Sequence, residues 1–475
     1  MEIFWVLFLV AYFILLALIG YYASKKVKTY EDFSVVGRKA KDLHVGLHFA
    51  ASYISAATVV GLMSWQYQYG WSYLAFYTAG MAFGWLILHV LGERFRTRIV
   101  IGHTTADFFA MRYYSNKSLR LWVAINYLWL LTVFMIIQYM GIGTVSEVVL
   151  GIPYTWATLL VGVPVTIYVA IGGSWAVMYT DIFQALIMWA GVILMAPALV
   201  SICGGLEAMN TRLAQISPAL IDITAGGVFP PMVIAHLFTL GALATASQAY
   251  YHRMFFMCPN RRVAKAVIGI GGPMCLVFYI SLMLSGVAVR ALAPGIKPDM
   301  AFPYTVKELL PVYLSMFMIG AIYAAIMSTV DTILLAVTMH VANDIIMTIK
   351  PASSERKTLL IARSAALVVG FIAMTLAVLR PAGIMDIYIF YGVALPSFVF
   401  VPLFGGYFWK RATKEAAFAS SIVGLVTSIV WHGPLKQPYL PTLFVSLPLS
   451  AAAFVVVSLL TPPPPQETIK KFFEV

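Results

Sequence analysis

The feature that most constrains this chain is a series of long apolar stretches recurring along almost its whole length. Every backbone polar group inside a bilayer must be hydrogen-bonded internally, so a helix crossing the ~30 Å hydrocarbon core needs roughly 20 mainly apolar residues. Thirteen stretches meet this requirement, at residues 3–22, 45–69, 72–92, 121–148, 154–172, 175–201, 227–250, 263–290, 312–346, 359–379, 384–409, 416–431 and 440–460. We therefore expect an all-α membrane protein with 13 transmembrane helices.

The composition points the same way. Apolar residues make up 61% of the chain and charged residues 11%, against about 45–50% and about 25% in soluble domains. This balance excludes an ordinary soluble enzyme. The sequence also contains no HExxH, no GxSxG and no Cys/His cluster, so we expect no enzymatic activity.

The net charge of +12 is distributed in a way that predicts orientation. Basic residues accumulate in the cytoplasmic loops of membrane proteins. Of the 31 basic residues, 25 fall in one alternating set of connections, and six fall in the other set: Arg212, Arg290, Lys297, Lys307, Arg380 and Lys436. We expect a multi-pass protein of the cell inner (plasma) membrane, with its N-terminus outside, its C-terminus cytoplasmic, and no nucleic-acid partner.

Asp181 is the clearest polar residue at membrane depth. It lies about two turns into the sixth predicted span, which contains no Lys or Arg to neutralise it. Carboxylates inside a bilayer are costly and usually face a partner or a watery cavity, so Asp181 is a functional candidate. The alternative is a helix cap or a structural hydrogen-bond acceptor.

A stripe of small and hydroxyl residues follows the ninth predicted span. Ala325, Ser328, Thr329 and Thr332 have the spacing i, i+3, i+4 and i+7, which places them on one helix face, with Asp331 close beside it. Oxygen ligands of this kind suit a hard cation such as sodium. The alternative is a helix–helix contact of small residues, which is common in membrane bundles.

The second and seventh predicted spans share an interior of small and polar residues, at 49–61 and 241–248, and stand five spans apart. Transporters built from inverted repeats place discontinuous helices at matching positions of their two halves. We therefore expect a 5+5 inverted repeat with two discontinuous helices in a single transporter domain. Its parts are the first helix and inner loop (1–44), the first repeat (45–203), the second repeat (227–410), and two peripheral helices with a tail (411–475).

Several motifs, taken in order along the chain, resemble the sodium:solute symporter family. They lie at residues 30–38 (YEDFSVVGR), 51–55 (ASYIS), 105–113 (TADFFAMRY), 151–154 (GIPY), 172–181 (GGSWAVMYTD) and 325–329 (AIMST). The family includes transporters of proline, pantothenate, sialic acid, sugars and monocarboxylates. The resemblance implies the inverted-repeat fold of bacterial leucine-type transporters and sodium as the coupling ion.

The resemblance also implies ligands for sodium. The first site would use the backbone carbonyls of Ala51, Ile54 and Ala325 with the hydroxyls of Ser328 and Thr329. A second site, found in some members, would use Asp181, Ser328, Asp331 and Thr332. Those members carry a hydroxyl residue at the position of Asp331, so the extra carboxylate could strengthen cation binding or take up a proton instead.

The expected activity is import of a small organic solute, coupled to sodium, by a monomer in the lipid bilayer that alternates access between the two sides. Tyr53 stands where the proline transporter has Asp, and residues 137–153 resemble pantothenate-type members, which favours a monocarboxylate or pantothenate-like solute. An amino-acid or sugar symporter, a proton-coupled symporter and a membrane solute sensor are the alternatives.

Position and polarity suggest six solute-binding residues, although helix packing explains each of them equally well. The predicted spans have no Lys or Arg near the membrane centre. We therefore expect the helix N-termini at the breaks to attract a solute anion. The six residues are Ser55, Ala56, Gln66, Gln138, Thr245 and Gln248.

Overall fold

The computed structural model describes residues 2–94, 102–115, 117–381, 384–433 and 440–474, which form helices and connecting turns without any β-strand. The helices are α1 (Glu2–Ser24), α2 (Tyr30–Val35), α3 (Asp42–Tyr53), α4 (Met63–Tyr69), α5 (Ser72–Arg94), α6 (Thr105–Arg112), α7 (Ser118–Leu150), α8 (Tyr154–Ile202), α9 (Leu206–Ile216), α10 (Pro231–Ala246), α11 (Ala249–Phe256), α12 (Arg261–Leu292), α13 (Ala301–Tyr304), α14 (Val312–Met339), α15 (Met347–Ile349), α16 (Glu355–Val378), α17 (Ile384–Phe408), α18 (Lys414–His432), α19 (Leu443–Leu460) and α20 (Gln466–Phe473). Three π-helical stretches, Ala57–Leu62, Thr305–Leu309 and His340–Ile346, continue or follow these helices.

Ten helices in the described part of the chain are long and apolar enough to cross a membrane, and two bent helix pairs raise the number to 12. The first pair joins Asp42–Tyr53 to Ala57–Tyr69 with a bend of 55°, and the second joins Pro231–Ala246 to Ala249–Phe256 with a bend of 41°. The bends fall in the two stretches of small and polar residues where the sequence predicts discontinuous helices.

Helix α8 is a single run of 49 residues over two of the predicted spans. It contains one non-helical residue, Gly173, with φ 51° and ψ −142°. A Cβ at this position would lie 2.5 Å from the carbonyl oxygen of Phe33. Two independent features therefore require glycine at this position: the positive φ and the lack of space for a Cβ.

Helix α14 forms the centre of the molecule. Its most apolar 18-residue window is wholly buried, whereas the corresponding windows of α1 and α19 are 28% buried. It packs mainly against α8 and α7, with α16 and α3 completing its surroundings. The hydroxyl stripe of the sequence therefore lies deep inside the protein, away from lipid.

Helices α5 and α10 pack closely because glycines line their contact. A Cβ on Gly241 would lie 2.6 Å from the carbonyl oxygen of Tyr77, and one on Gly84 would lie 2.6 Å from that of Ala242. Small residues let backbones approach in this way in membrane bundles. The contact positions α10, which leads into the second bend.

Not all basic residues lie in loops. Arg112 is fully buried at the end of α6, and its three guanidinium nitrogens donate to the carbonyls of Gly406, Trp409 and Ala412 at the end of α17. Arg253, expected in an inner loop, lies within α11. Arg96, Arg98 and Lys436, which contribute to the predicted charge distribution, lie outside the described residues.

Candidate functional site

The first bend exposes backbone carbonyls at the centre of the fold. Helix α3 ends at Tyr53, Ile54 is extended with φ −99° and ψ 119°, and helical structure resumes at Ala57. The last carbonyls of a helix have no partner within it. At this bend they are free to bind side chains of a neighbouring helix, and the neighbour is α14.

The five atoms predicted to bind sodium at the first site lie together. Ser328 Oγ lies 3.0 Å from the carbonyl oxygen of Ala51 and 3.2 Å from that of Ala325. Thr329 Oγ1 lies 2.8 Å from the carbonyl oxygen of Ile54 and 3.1 Å from that of Ala325. Each hydroxyl has one proton, so it donates to one carbonyl at a time, and the nearest acceptor of Ser328 Oγ is the carbonyl oxygen of Ala324 at 2.8 Å, which is not a predicted ligand. The hydroxyl oxygens and the predicted carbonyl oxygens are nevertheless within hydrogen-bond distance of one another.

Asp181 lies next to this cluster and is fully buried. Its Oδ2 accepts hydrogen bonds from Ser52 Oγ at 2.9 Å and Thr332 Oγ1 at 3.3 Å, and it lies 2.6 Å from His48 Nδ1. Its Oδ1 has no hydrogen-bond partner among the described residues. The carboxylate therefore keeps an unused oxygen.

Asp331 is also fully buried, and its carboxylate approaches the Thr332 hydroxyl that contacts Asp181. Thr332 Oγ1 lies 3.4 Å from Asp331 Oδ1, while Tyr168 donates its hydroxyl to Oδ2 at 2.5 Å. Thr332 thus connects the two carboxylates predicted for the second site. Ser328, the remaining predicted member, contacts the carbonyls of Ala51 and Ala325 in the first cluster and that of Ala324 on its own helix.

His48, Ser52 and Tyr168 belong to this arrangement and were not selected from the sequence as ligands or partners. The signal that the sequence offers is the i, i+4 spacing of His48 and Ser52 on α3, together with the lack of a Lys or Arg in the predicted span of Asp181. The contact itself joins residues 133 positions apart.

A cavity lies between the two bends and borders both clusters. Thr329 and Ser52 form part of its wall, and none of its lining residues is charged. Its space is about 40 Å³, room for about three water molecules. Seven tyrosines line it: Tyr53, Tyr77, Tyr250, Tyr251, Tyr279, Tyr388 and Tyr391.

Three of the six residues predicted to bind the solute, Ser55, Thr245 and Gln248, line this cavity. The backbone N–H of Ala56 donates to Gln138 Oε1 at 2.9 Å. These two residues therefore lie together, next to Ser55 but not among the residues that line the cavity. Gln66 lies elsewhere, on α4, where its side-chain amide donates to the carbonyl of Gly70. The structure therefore does not bring Gln66 to the other five.

Tyrosine hydroxyls that line the cavity contact both bent pairs. Tyr53, at the end of α3, lies with its hydroxyl 2.5 Å from Thr245 Oγ1 on α10. Tyr391 on α17 donates to Gln248 Oε1 at the second bend. Movement of either bent pair would change these contacts, so the cavity is sensitive to the positions of both.

A further polar cluster ties α6, a short helix between two spans, and the start of α7 to the π-helical segment after α14. Arg120 binds Asp107 at 2.5 Å and Asp344 at 3.0 Å, and Thr104 donates to Asp344 at 3.0 Å. Burial, followed by the neighbouring Asp344 carboxylate, raises the pKa of Asp107 above its usual range, and Arg120 opposes this shift. The cluster fixes one end of the helix that carries the hydroxyl stripe.

Comparisons with known proteins agree on a family. The model of the sodium:solute symporter family matches residues 33–424. The sodium/pantothenate symporter of Escherichia coli (strain K12) is 28% identical over 478 residues, which cover 97% of each chain. The uncharacterized symporter YwcA of Bacillus subtilis (strain 168) is 27% identical over 441 residues, covering 88% of this chain and 85% of its own.

Two solved structures share the fold. A Na+-coupled sialic acid symporter, in a substrate-bound outward-open state, superposes with a TM-score of 0.85 at 18% identity, covering 97% of this chain and 99% of that one. The nucleobase-cation-symport-1 family transporter Mhp1, in a closed conformation, gives a TM-score of 0.56 at 12% identity, with coverage of 93% and 98%. Both are described as cation-coupled transporters. At these sequence identities, the likeness shows only that the helices are arranged in the same fold.

Proposed function

Because the chain belongs to the sodium:solute symporter family, we propose that it couples the inward movement of sodium to the import of an organic monocarboxylate or a pantothenate-like solute. The observation that carries this proposal is the set of two hydroxyls and three carbonyls between the first bend and α14. It offers only oxygen atoms, as a hard cation requires, and Thr329 is shared by this set and the wall of the cavity.

The shared residue gives the coupling a physical basis. Sodium bound by Thr329 and the carbonyl of Ile54 holds α14 against the bend, which forms one side of the cavity. Ion and solute then favour the same conformation, and each raises the affinity for the other. The membrane potential adds about 2.3 kcal/mol per charge per 100 mV, which drives accumulation.

We extend the proposal to the architecture of 13 spans. At 1.5 Å per residue, the 49 residues of α8 measure about 74 Å, more than twice the hydrocarbon core, so α8 supplies two spans that meet at Gly173. Helix contacts support a two-fold relation between 45–203 and 227–410. Helix α5 packs on α10 as α12 packs on α3, and α7 packs on α17 as α14 packs on α8.

The distribution of basic residues supports an orientation with the N-terminus outside in the inner membrane of a bacterial cell. With this orientation, α2, α6 and the cluster of Asp107, Arg120 and Asp344 lie on the cytoplasmic side.

Proton coupling is the second candidate, favoured by the two buried carboxylates that share Thr332. The deciding experiment is uptake into proteoliposomes of labelled pantothenate, monocarboxylates, amino acids and sugars, with a sodium gradient or a proton gradient imposed separately. We expect accumulation of an organic acid with sodium alone. Uptake that ignores sodium and follows the proton gradient would replace the sodium assignment.

A further inference from the structure

Two buried arginines in this protein differ in how their donors are used. All three guanidinium nitrogens of Arg112 donate to carbonyls. Arg253 is 1% exposed, and only its Nη1 has partners, Ser174 Oγ at 2.9 Å and the carbonyl of Ser34 at 3.3 Å. Its Nε and Nη2 have no hydrogen-bond partner among the described residues. Buried polar groups are almost always paired, so this guanidinium has capacity for an acceptor.

The two unused donors form one edge of the planar group. Nε and Nη2 point the same way, with the spacing that matches the two oxygens of a carboxylate, and bidentate pairs of this kind are among the strongest hydrogen-bonded contacts. One bridging oxygen would bend both hydrogen bonds, whereas the two oxygens of a carboxylate accept one nearly linear hydrogen bond each. The edge is therefore suited to an organic acid.

Arg253 lies about one helical turn from the wall of the solute cavity. Arg253 follows Tyr250 by three residues on α11, about one helical turn, and Tyr250 lines the cavity. Its Nη1 contacts join α11 to Ser34 of α2 and to Ser174, directly after the break in α8. In the proposed orientation these segments form the cytoplasmic side. The guanidinium thus lies between the cavity and the cell interior.

The cavity itself offers no charged side chain. A carboxylate held there would depend on tyrosine hydroxyls and the second bend, and Arg253 would be the first cation on its way inward. We propose that the Nε and Nη2 edge of Arg253 forms an anion site that receives the carboxylate of the transported solute as it leaves the cavity. This inference rests on the proposed function, in particular on a monocarboxylate solute.

The test compares each acid with its neutral analogue. The probes are pantothenate with panthenol, and propionate with propionamide. Purified full-length protein in proteoliposomes carries out exchange at equal sodium on both sides, and the concentration of each compound that halves exchange of the labelled acid is measured. Exchange requires passage through the inward-facing form, so both directions report on the inner site.

We expect the wild type to prefer an acid over its neutral analogue, and Arg253→Gln to reduce this preference about tenfold or more through loss of a charge-assisted contact. Arg253→Lys should retain part of the preference, because the ammonium keeps the charge without the planar edge. The carbonyl of Ser34 keeps its hydrogen bond from Ser174 Oγ in both variants. Arg112→Gln is the matched control, since it removes a buried arginine whose three guanidinium nitrogens all have partners, and it should leave the preference unchanged.

The outcomes separate the two proposals. If an acid is transported and Arg253→Gln weakens acid and neutral compound equally, or leaves the preference intact, the anion site is refuted while the symport function stands. Loss of wild-type exchange when chloride is replaced by methanesulfonate, with no such loss in Arg253→Gln, would assign the edge to chloride and also refute it. If sodium drives the uptake of no acid at all, the proposed solute class and the anion site are both wrong.

Discussion

The double substitution Ser328→Ala with Thr329→Ala addresses the sodium cluster most directly. Both side chains are buried on α14, and each hydroxyl lies within hydrogen-bond distance of a carbonyl of the first bend, at 3.0 Å from Ala51 and 2.8 Å from Ile54. The substitution removes two of five ligand atoms and leaves the three carbonyls in place. We expect a higher sodium concentration for half-maximal transport.

The magnitude follows from the difference between the two states. A contact to a charged group contributes about 1.5–3 kcal/mol, and a neutral hydrogen bond about 0.5–1.5 kcal/mol. When the ion binds, each hydroxyl exchanges a neutral hydrogen bond for a contact to a charge. The net contribution of each hydroxyl to the free energy of sodium binding is about 1–1.5 kcal/mol. Both together give about 2–3 kcal/mol. At about 1.4 kcal/mol per tenfold change, the half-saturating sodium concentration should rise about 30- to 150-fold.

The assay is initial uptake of the solute into proteoliposomes over a range of external sodium concentrations. Thr329→Ser keeps the oxygen and should stay close to the wild type. Thr338→Ala is the matched control on the same helix, because Thr338 is buried and its hydroxyl has no partner among the described residues. An unchanged sodium dependence in the double variant would show that these hydroxyls do not bind the ion.

Three further predictions concern separate parts of the molecule. Asp181→Asn should reduce sodium-driven accumulation, measured as the steady-state ratio in proteoliposomes, more than it reduces thermal stability, because it removes charge and keeps shape. Gly241→Ala should destabilise the fold by about 1–3 kcal/mol and lower the unfolding temperature, since its Cβ would lie 2.6 Å from the carbonyl oxygen of Tyr77, whereas Gly269→Ala, with nothing within 4 Å, should not. Burial lowers the pKa of His103 below its usual 6.5. The unfolded state therefore binds more protons there, so stability should rise with pH up to about 6.5 in unfolding scans and then level off.

Each of these has an outcome that contradicts it. Normal accumulation by Asp181→Asn would dismiss a coupling role for this carboxylate. Equal unfolding temperatures for the two glycine variants would show that the contact between α5 and α10 tolerates a methyl group. His103→Gln should make the rise in stability below pH 6.5 smaller than in the wild type, and a rise of the same size in that variant would assign the effect to other groups.

Local periodicity explains why part of the site was accessible from the sequence. Helical geometry fixes Ser328 and Thr329 on one face whatever surrounds them, and their hydroxyls indeed face the carbonyls of Ala51 and Ile54. The family resemblance named the carbonyls, which no side-chain pattern reveals. Binding of sodium by this set stays a prediction.

Other parts depend on tertiary contacts that local patterns do not contain. His48 and Asp181 meet across α3 and α8 because of the rotation of each helix, which sequence spacing leaves open. Arg253 looks like one of several basic residues after an apolar stretch, yet α11 continues the helix past Tyr250 and buries it. The stretch of small and polar residues predicts the bend. It does not predict that the helix after the bend buries the side chain of Arg253 in the protein.

The wholly buried helix α14 also has a consequence for biogenesis. A membrane-inserted chain passes its helices into lipid in order, and the span that contains α14 is apolar enough to enter as an ordinary span, with mean hydropathy 1.8 over its most apolar 18 residues. Its partners α7 and α8 precede it, but α16 follows. Asp331 and its neighbouring hydroxyls must therefore dock on helices already in place while one side is still open to lipid. Chains truncated before α16 should expose that side, and membrane quality control would have a means to recognise an unfinished transporter.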